Sequence, residues 1–440
     1  MKKGNNVSPM RAKKVTPLRI KRIPEAPANM ESEEEVVVDK PNTPAPIVKL
    51  GSVYQYEDAD TCRNDAETLQ KEIYASNSEN YKKMREEHEA ILEHANLQET
   101  LNSIQTVAVT GASGYLGYYL VSTLVERGFN VRAGVGPKFK TREPSPLNDL
   151  WAQYPYQIKI IRFTLNNPKE AEDLLTDAEA VVHCASISRA TPNINSINIL
   201  YPEIEGLMNL LTTCTKRKIS RFVLVSCISN VTGGRYRKNY NESHWANPDD
   251  CDLFERAKLL TEKVAWNYVE EQKSGIKLTV LCPGILVGPA CKNSPDSVNV
   301  VFVRKLFEKK LNYFMNVKIP LLDVRDLADA CAMSIKNASS VNQRYIVNEG
   351  TYWIRDVHVI IHNEKYKKQN KPPTYMNRTL LKFLAFFDRD LKKILEYYDK
   401  SYNINDEKFK RDFGFKYRRV DEALKTMVEV FGVPESNLNS

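Results

Sequence analysis

Residues 106–117 read Thr106-Val107-Ala108-Val109-Thr110-Gly111-Ala112-Ser113-Gly114-Tyr115-Leu116-Gly117. The stretch Thr106–Thr110 is rich in β-branched side chains, which favour a strand. Gly111, Gly114 and Gly117 follow at once, and the apolar spacing from Gly114 to Arg127 predicts a helix. Each glycine has its own part in such a turn. Gly111 permits the tight strand-to-helix reversal, Gly114 lets a phosphate approach bare backbone, and Gly117 lets the helix lie close to the strand. The free N–H groups and partial positive charge at the helix N-terminus attract an anion. Three glycines alone are a weak signal; set between a strand and a helix, they read as a dinucleotide pyrophosphate site. Its contact residues are Gly111, Ser113, Gly114, Tyr115, Leu116 and Gly117.

Outward from that turn the chain alternates. Strands are expected at Phe129–Val135, Ile158–Leu165, Ala180–Ser186, Arg221–Ser229 and Lys277–Leu286. Helices are expected at Asn167–Leu175, Pro202–Lys216 and Leu253–Gln272. This predicts an α/β fold: a Rossmann doubly wound parallel sheet over residues 106–290, with helices on both faces. Residues 291–435 are mixed and end in a helix expected over Val420–Phe431. They are read as the remaining core elements and a smaller C-terminal α/β substrate-binding subdomain. Residues 66–104 contain no Gly or Pro and predict a helical extension. Too few clean heptads exist for a coiled coil, so packing on the main domain is expected.

The strand ending at Val135 is followed by Gly136, Lys138, Lys140 and Arg142, with no acid before Glu143. An acid at this place would bind a ribose hydroxyl; cations favour an additional phosphate, hence NADP before NAD, while NAD and a plain solvated loop stay open.

The 440 residues carry a net charge of +8, unevenly spread. Residues 1–22 hold eight Lys or Arg and no acid, so the remainder is near neutral. The charge marks a basic tail and not a nucleic-acid-binding domain. Residues 1–60 are Pro-rich and poor in aromatics, and are expected to be a disordered tail. Its Ser8-Pro9, Thr16-Pro17 and Thr43-Pro44 pairs suit phosphorylation, and Arg11–Arg22 suits nuclear import. A plain solvated tail and a protein-binding arm both stay open. The eight cysteines are scattered without C-x-x-C pairs, which argues against a metal site and a disulfide framework. No signal peptide is evident, and Leu380–Phe387 is too short to span a bilayer and carries Lys382. The reading is a cytoplasmic protein, with a nuclear location open through the tail.

Further motifs sharpen the picture. Val109–Gly117, Val131-Arg132-Ala133, Val182-His183-Cys184-Ala185, Glu203–Gly206, Arg221–Leu224, Cys282–Pro289 and Asp323–Ala328 together resemble the extended short-chain dehydrogenase/reductases, in the dihydroflavonol reductase-like branch of the NAD-dependent epimerase/dehydratases. The resemblance covers residues 106–432. It implies NADP-dependent carbonyl reduction, a small carbonyl or alcohol substrate, and often a homodimer. It adds Arg132, Lys138, Ala185, Lys258, Pro283 and Ile285 as cofactor contacts. It also implies a Tyr proton donor, a Lys four residues on that tunes it, and a Ser that holds the substrate oxygen.

Here the sequence departs from the pattern. The Lys is Lys258, but Phe254 occupies the Tyr position and Cys227 the Ser position, with Ser226 and Ser229 beside it. The Arg that meets the 2′-phosphate is Gly136, and the Asp that meets the adenine is Thr164. Tyr236, Tyr240 and His244 are candidate substitute donors, Cys227 is a candidate nucleophile, and His183 reads as a satisfied core residue. Two functions follow: an oxidoreductase with an altered donor, or a catalytically inactive dinucleotide-binding regulatory or interaction protein.

Overall fold

The computed structural model describes residues 79–186, 200–233, 236–290, 297–308, 315–366, 376–387 and 389–432. The chain divides after Gln55, and everything described lies in the second unit. The expectations for the tail over residues 1–60, and for 66–78, lie outside the described residues.

Helix α1 (Glu79–Asn102) comes first, then β1 (Thr106–Thr110), α2 (Tyr115–Glu126), β2 (Asn130–Val135), α3 (Pro146–Gln153) and β3 (Ile158–Arg162). Next come α4 (Pro168–Leu174), β4 (Ala180–His183), α5 (Leu200–Arg217), β5 (Arg221–Val225), α6 (Ser229–Thr232) and β6 (Asn239–Tyr240). Then follow α7 (Leu253–Glu271), β7 (Lys277–Pro283), β8 (Ile285–Val287), α8 (Val298–Phe307), β9 (Lys318–Asp323) and α9 (Val324–Lys336). The remainder is β10 (Gln343–Val347), β11 (Gly350–Trp353), α10 (Ile354–Tyr366), α11 (Arg378–Leu384), α12 (Arg389–Tyr397), β12 (Asn403–Ile404), α13 (Glu407–Phe413) and α14 (Val420–Glu429).

Seven strands form one sheet in the order β10-β7-β5-β4-β1-β2-β3, and every neighbouring pair is parallel. Both faces are covered, which is why β1 is buried from Val107 to Thr110. Alternation along a strand sends Val107 and Val109 to one core, with Leu120 and Leu124 of α2. Ala108 goes to the other, with Leu174 of α4 and Leu207 and Leu211 of α5. The strand order reverses between β1 and β4, so a crevice opens where their C-terminal ends diverge. Residues 291–435 supply α9 and β10 to this core, and also smaller layers. In one, β9 and β11 join β8 in the sheet β11-β9-β8; in another, β12 pairs with β6.

The structure differs from the sequence reading in three instructive places. Lys277–Leu286 is two strands, not one: β7 belongs to the main sheet and β8 to the three-stranded sheet. They part at Gly284, where a Cβ would lie 2.5 Å from Asn348 Oδ1. Strand β5 stops at Val225, because Ser226 turns its hydroxyl into a buried polar network. Helices α3 and α9 were not anticipated. Helix α9 starts on its Asp323 cap, which accepts the Arg325 N–H at 2.8 Å.

Within α1, Leu101 is 1% exposed and joins the core. Gln98 straddles the end of α9: its Nε2 donates to Lys336 O at 2.5 Å and its Oε1 accepts from Ala338 N at 3.0 Å. The helix is therefore part of the domain. Leu101→Ala is expected to lower the unfolding free energy by about 2–5 kcal/mol, read from the denaturant midpoint. A loss below about 1 kcal/mol would show that α1 is not packed as described.

Candidate dinucleotide site and reaction centre

The first site residues are backbone. Gly111 has φ +72°, a conformation costly for a side chain. A Cβ on Gly117 would lie 2.0 Å from Gly111 O, so only glycine lets α2 close onto the turn. A Cβ on Gly111 would meet Ala185 Cα at 3.0 Å, across the crevice between β1 and β4. Gly114 is the N-cap of α2 and offers no side-chain cap, leaving the helix N-terminus open to an anion. Ser113 and Leu116 are half-buried beside it. Tyr115 contributes differently: its ring is buried, and its hydroxyl donates to Gly288 O at 2.9 Å.

Thr110 holds the opposite wall. Its Oγ1 accepts the Cys184 and Ala185 N–H groups at 3.1 and 3.0 Å. Its one proton therefore goes to His183 Nδ1, 2.8 Å away, which puts the imidazole proton on Nε2. Burial, aided by the charge of Lys258, pushes the His183 pKa down to about 3. His183 is a neutral core residue.

At the far edge the sequence reading needs a correction. Arg132 is 7% exposed and turned away from the crevice. Its Nε donates to Leu174 O at 2.8 Å and its second amino group to Asp173 O at 2.6 Å, so it caps the C-terminus of α4. The cations at the end of β2 are Lys138 and Arg142, both exposed, while Lys140 pairs with Glu143. Gly136 has open space where a Cβ would stand.

The reaction centre is set by the start of α7. Asp252 accepts from Glu255 N at 2.8 Å, and Glu255 Oε2 accepts from Asp252 N at 3.0 Å. This capping box fixes the helix phase and places Phe254 one turn ahead of Lys258, on the same face. Phe254 has no ionisable or hydrogen-bonding group. Lys258 Nζ lies 2.7 Å from Glu203 Oε1, and that carboxylate, on the first turn of α5, is 1% exposed. Ser186 Oγ donates to the same oxygen at 3.1 Å.

Cys227 is half-buried, with Ser229 Oγ 3.1 Å from its sulfur. Ser226 donates to Glu262 Oε2 at 2.5 Å and accepts from Asn230 Nδ2 at 2.8 Å. Arg344 closes this network on Glu262 Oε1 at 2.5 Å, so Ser226 is spoken for inside the fold. The alternative donors are engaged too. Tyr236 donates to Ser401 O at 2.6 Å, Tyr240 is 2% exposed with its hydroxyl 3.2 Å from that of Tyr397, and His244 Nδ1 accepts from Asn241 N at 3.1 Å. Pro283, buried, ends β7, and Ile285, half-buried, opens β8. Among the described residues no group of His, Cys, Asp and Glu could hold a metal ion, and Cys184, Cys214, Cys227, Cys251, Cys282 and Cys331 are free thiols.

The family model described as the NAD dependent epimerase/dehydratase family matches residues 107–350. The chain belongs to this family. Curated relatives include the dihydroflavonol 4-reductase of Arabidopsis thaliana, 25% identical over 280 residues, covering 62% of this chain and 72% of the relative. Another is tetraketide alpha-pyrone reductase 2 of the same plant, 25% identical over 282 residues, covering 61% and 83%. Among solved structures, yeast methylglyoxal/isovaleraldehyde reductase complexed with NADPH superimposes with a TM-score of 0.59. It is 19% identical, with 74% of this chain and 99% of that one covered, and it speaks for the fold.

A nicotinamide dinucleotide is the family's cofactor, and the turn fits its pyrophosphate: the cradle exists only because Gly111, Gly114 and Gly117 lack a Cβ. The Lys258–Glu203 pair is a feature the sequence reading missed. Glu203 stood inside a quoted motif, but nothing in the linear order links it to Lys258. Gly117→Ala is expected to weaken dinucleotide binding more than about tenfold, measured by fluorescence titration, with circular dichroism checking that the fold persists. Unchanged affinity would remove the glycine turn as the phosphate site.

Proposed function

We propose that this protein holds a nicotinamide dinucleotide, NADP before NAD, and does not perform the tyrosine-relayed carbonyl reduction that its resemblance implies. It acts instead as a dinucleotide-binding regulatory or interaction protein on a reductase scaffold. The observation that carries this is the Lys258–Glu203 ion pair behind Phe254. In the reductase pattern the Lys charge lowers the pKa of a neighbouring phenol. Here no phenol exists, and the charge is already matched by a buried carboxylate.

A bound dinucleotide supplies hydride chemistry. What this chain supplies is binding: backbone amides after Gly111 for the pyrophosphate, Lys138 and Arg142 for an additional phosphate, and the Pro283–Ile285 turn near the nicotinamide end. Phe254, at the place the pattern gives to the proton donor, can deliver no proton to a substrate oxygen. A missing general acid costs roughly 10²–10⁴ in rate.

A second reading, an oxidoreductase acting on a small carbonyl or alcohol with an altered site, rests on Ser229. Its hydroxyl, 3.1 Å from Cys227 Sγ, stands near the place the pattern gives to serine.

Two experiments separate these readings. The wild type is expected to bind NADPH in a fluorescence titration, yet to oxidise it negligibly with a panel of aldehydes and ketones. Phe254→Tyr alone should give a small gain, because Glu203 still holds Lys258. Phe254→Tyr with Glu203→Gln should gain about 10²-fold or more over wild type. Wild-type turnover that is indifferent to these changes would favour the second reading, and absence of dinucleotide binding would overturn both. Separately, Gly136→Arg, placed in open space, should raise the NADPH-over-NADH preference by about tenfold. An unchanged preference would contradict the placement of the additional phosphate at this edge.

A further inference from the structure

Helix α11 and the turn after it carry an apolar surface that the fold leaves uncovered. Leu381 and Ala385 are buried, and Leu381 packs with Val317, Met376 and Tyr398, which fixes the rotation of the helix. The side chains facing outward are then Leu380, Phe383, Phe386 and Phe387, which are 42%, 64%, 83% and 73% exposed. Leu380, Phe383 and Phe387 follow one helical stripe. The Phe383 and Phe387 rings lie 5.6 Å apart and the Phe386 and Phe387 rings 5.2 Å. Single exposed apolar residues are ordinary; a contiguous aromatic group is the mark of an interaction surface.

Charge says what kind of surface. Between Met376 and Phe387 the charged residues are Arg378 and Lys382, both exposed, and the sequence directly after Phe387 reads Asp388-Arg389-Asp390, so cations outnumber acids around the rings. Lys392 on α12 adds another exposed cation, and the sequence from Lys365 to Lys382 contains six cations and no acid. Aromatic rings flanked by cations match a bilayer interface. The rings enter the headgroup–acyl boundary while the cations meet anionic headgroups. Among the described residues no helix is long and apolar enough to cross a membrane, and α11 spans only about 10 Å. The match is to docking on a surface, not to spanning.

We propose that α11, with the Phe386–Phe387 turn, is a docking site for an anionic phospholipid bilayer. The test is cosedimentation of the full chain with phosphatidylcholine vesicles, with and without phosphatidylserine. Binding is expected only to the phosphatidylserine-containing vesicles, weakening as salt is raised. Phe383→Ser/Phe386→Ser/Phe387→Ser and, separately, Arg378→Glu/Lys382→Glu should each lower partitioning by about tenfold or more. Melting temperature and dinucleotide titration should stay unchanged in both, because these residues are exposed and none belongs to the glycine turn or α7. No partitioning of the wild type, or equal partitioning by the variants, overturns the proposal. So does a fall in the mass of a self-associated species with the phenylalanine variant alone, which assigns the patch to a second copy of the chain.

Discussion

The dinucleotide crevice depends on one steric constraint: two backbone segments touch where no Cβ can stand. Gly117 closes on Gly111 O, and Gly111 closes on Ala185. That contact sets how near α2 comes to β1, and how β4 lies against β1. Thr110 reinforces it with a single hydroxyl that uses both lone pairs and its proton. The open end of α2 then points into the place where the strand order reverses. The ability to hold a phosphate is therefore a property of packing, and survives any change in the chemistry farther along the crevice.

Farther along the crevice the structure places a buried ion pair. Burying a carboxylate and an ammonium costs of order several kcal/mol per ion, offset only by close pairing and further hydrogen bonds. Glu203 meets these terms through Lys258 and Ser186. The pair joins α5 to α7. Behind it, Ser226, Asn230, Glu262 and Arg344 form a second buried network that fixes the end of β5.

Legibility in the sequence followed the range of the interactions. The glycine turn was readable because all of its determinants lie within a dozen residues and each acts on its own neighbour. The alternation of strands and helices was readable for the same reason, as was the pairing of Phe254 with Lys258, one helical turn apart. What escaped was long-range. Glu203 finds Lys258 only when α5 and α7 pack. Arg132 was assigned to the cofactor by analogy, but the C-terminus of α4 lies nearer and offers two carbonyls. Gly284 looked like the interior of one strand because its reason for being glycine, Asn348, comes from another part of the chain.

Helix α1 has a mechanical consequence. It is 24 residues, about 36 Å, of continuous helix. Its last turns are clamped by Gln98 and Leu101 to the end of α9, and α9 packs along α2, whose tip forms the phosphate cradle. The head of the helix, at Glu79, is thus joined to the core by a stiff rod. A load or a bulky group placed at the head of that rod acts with leverage on the helix layer beside the cradle, and a reporter placed there turns with the whole domain.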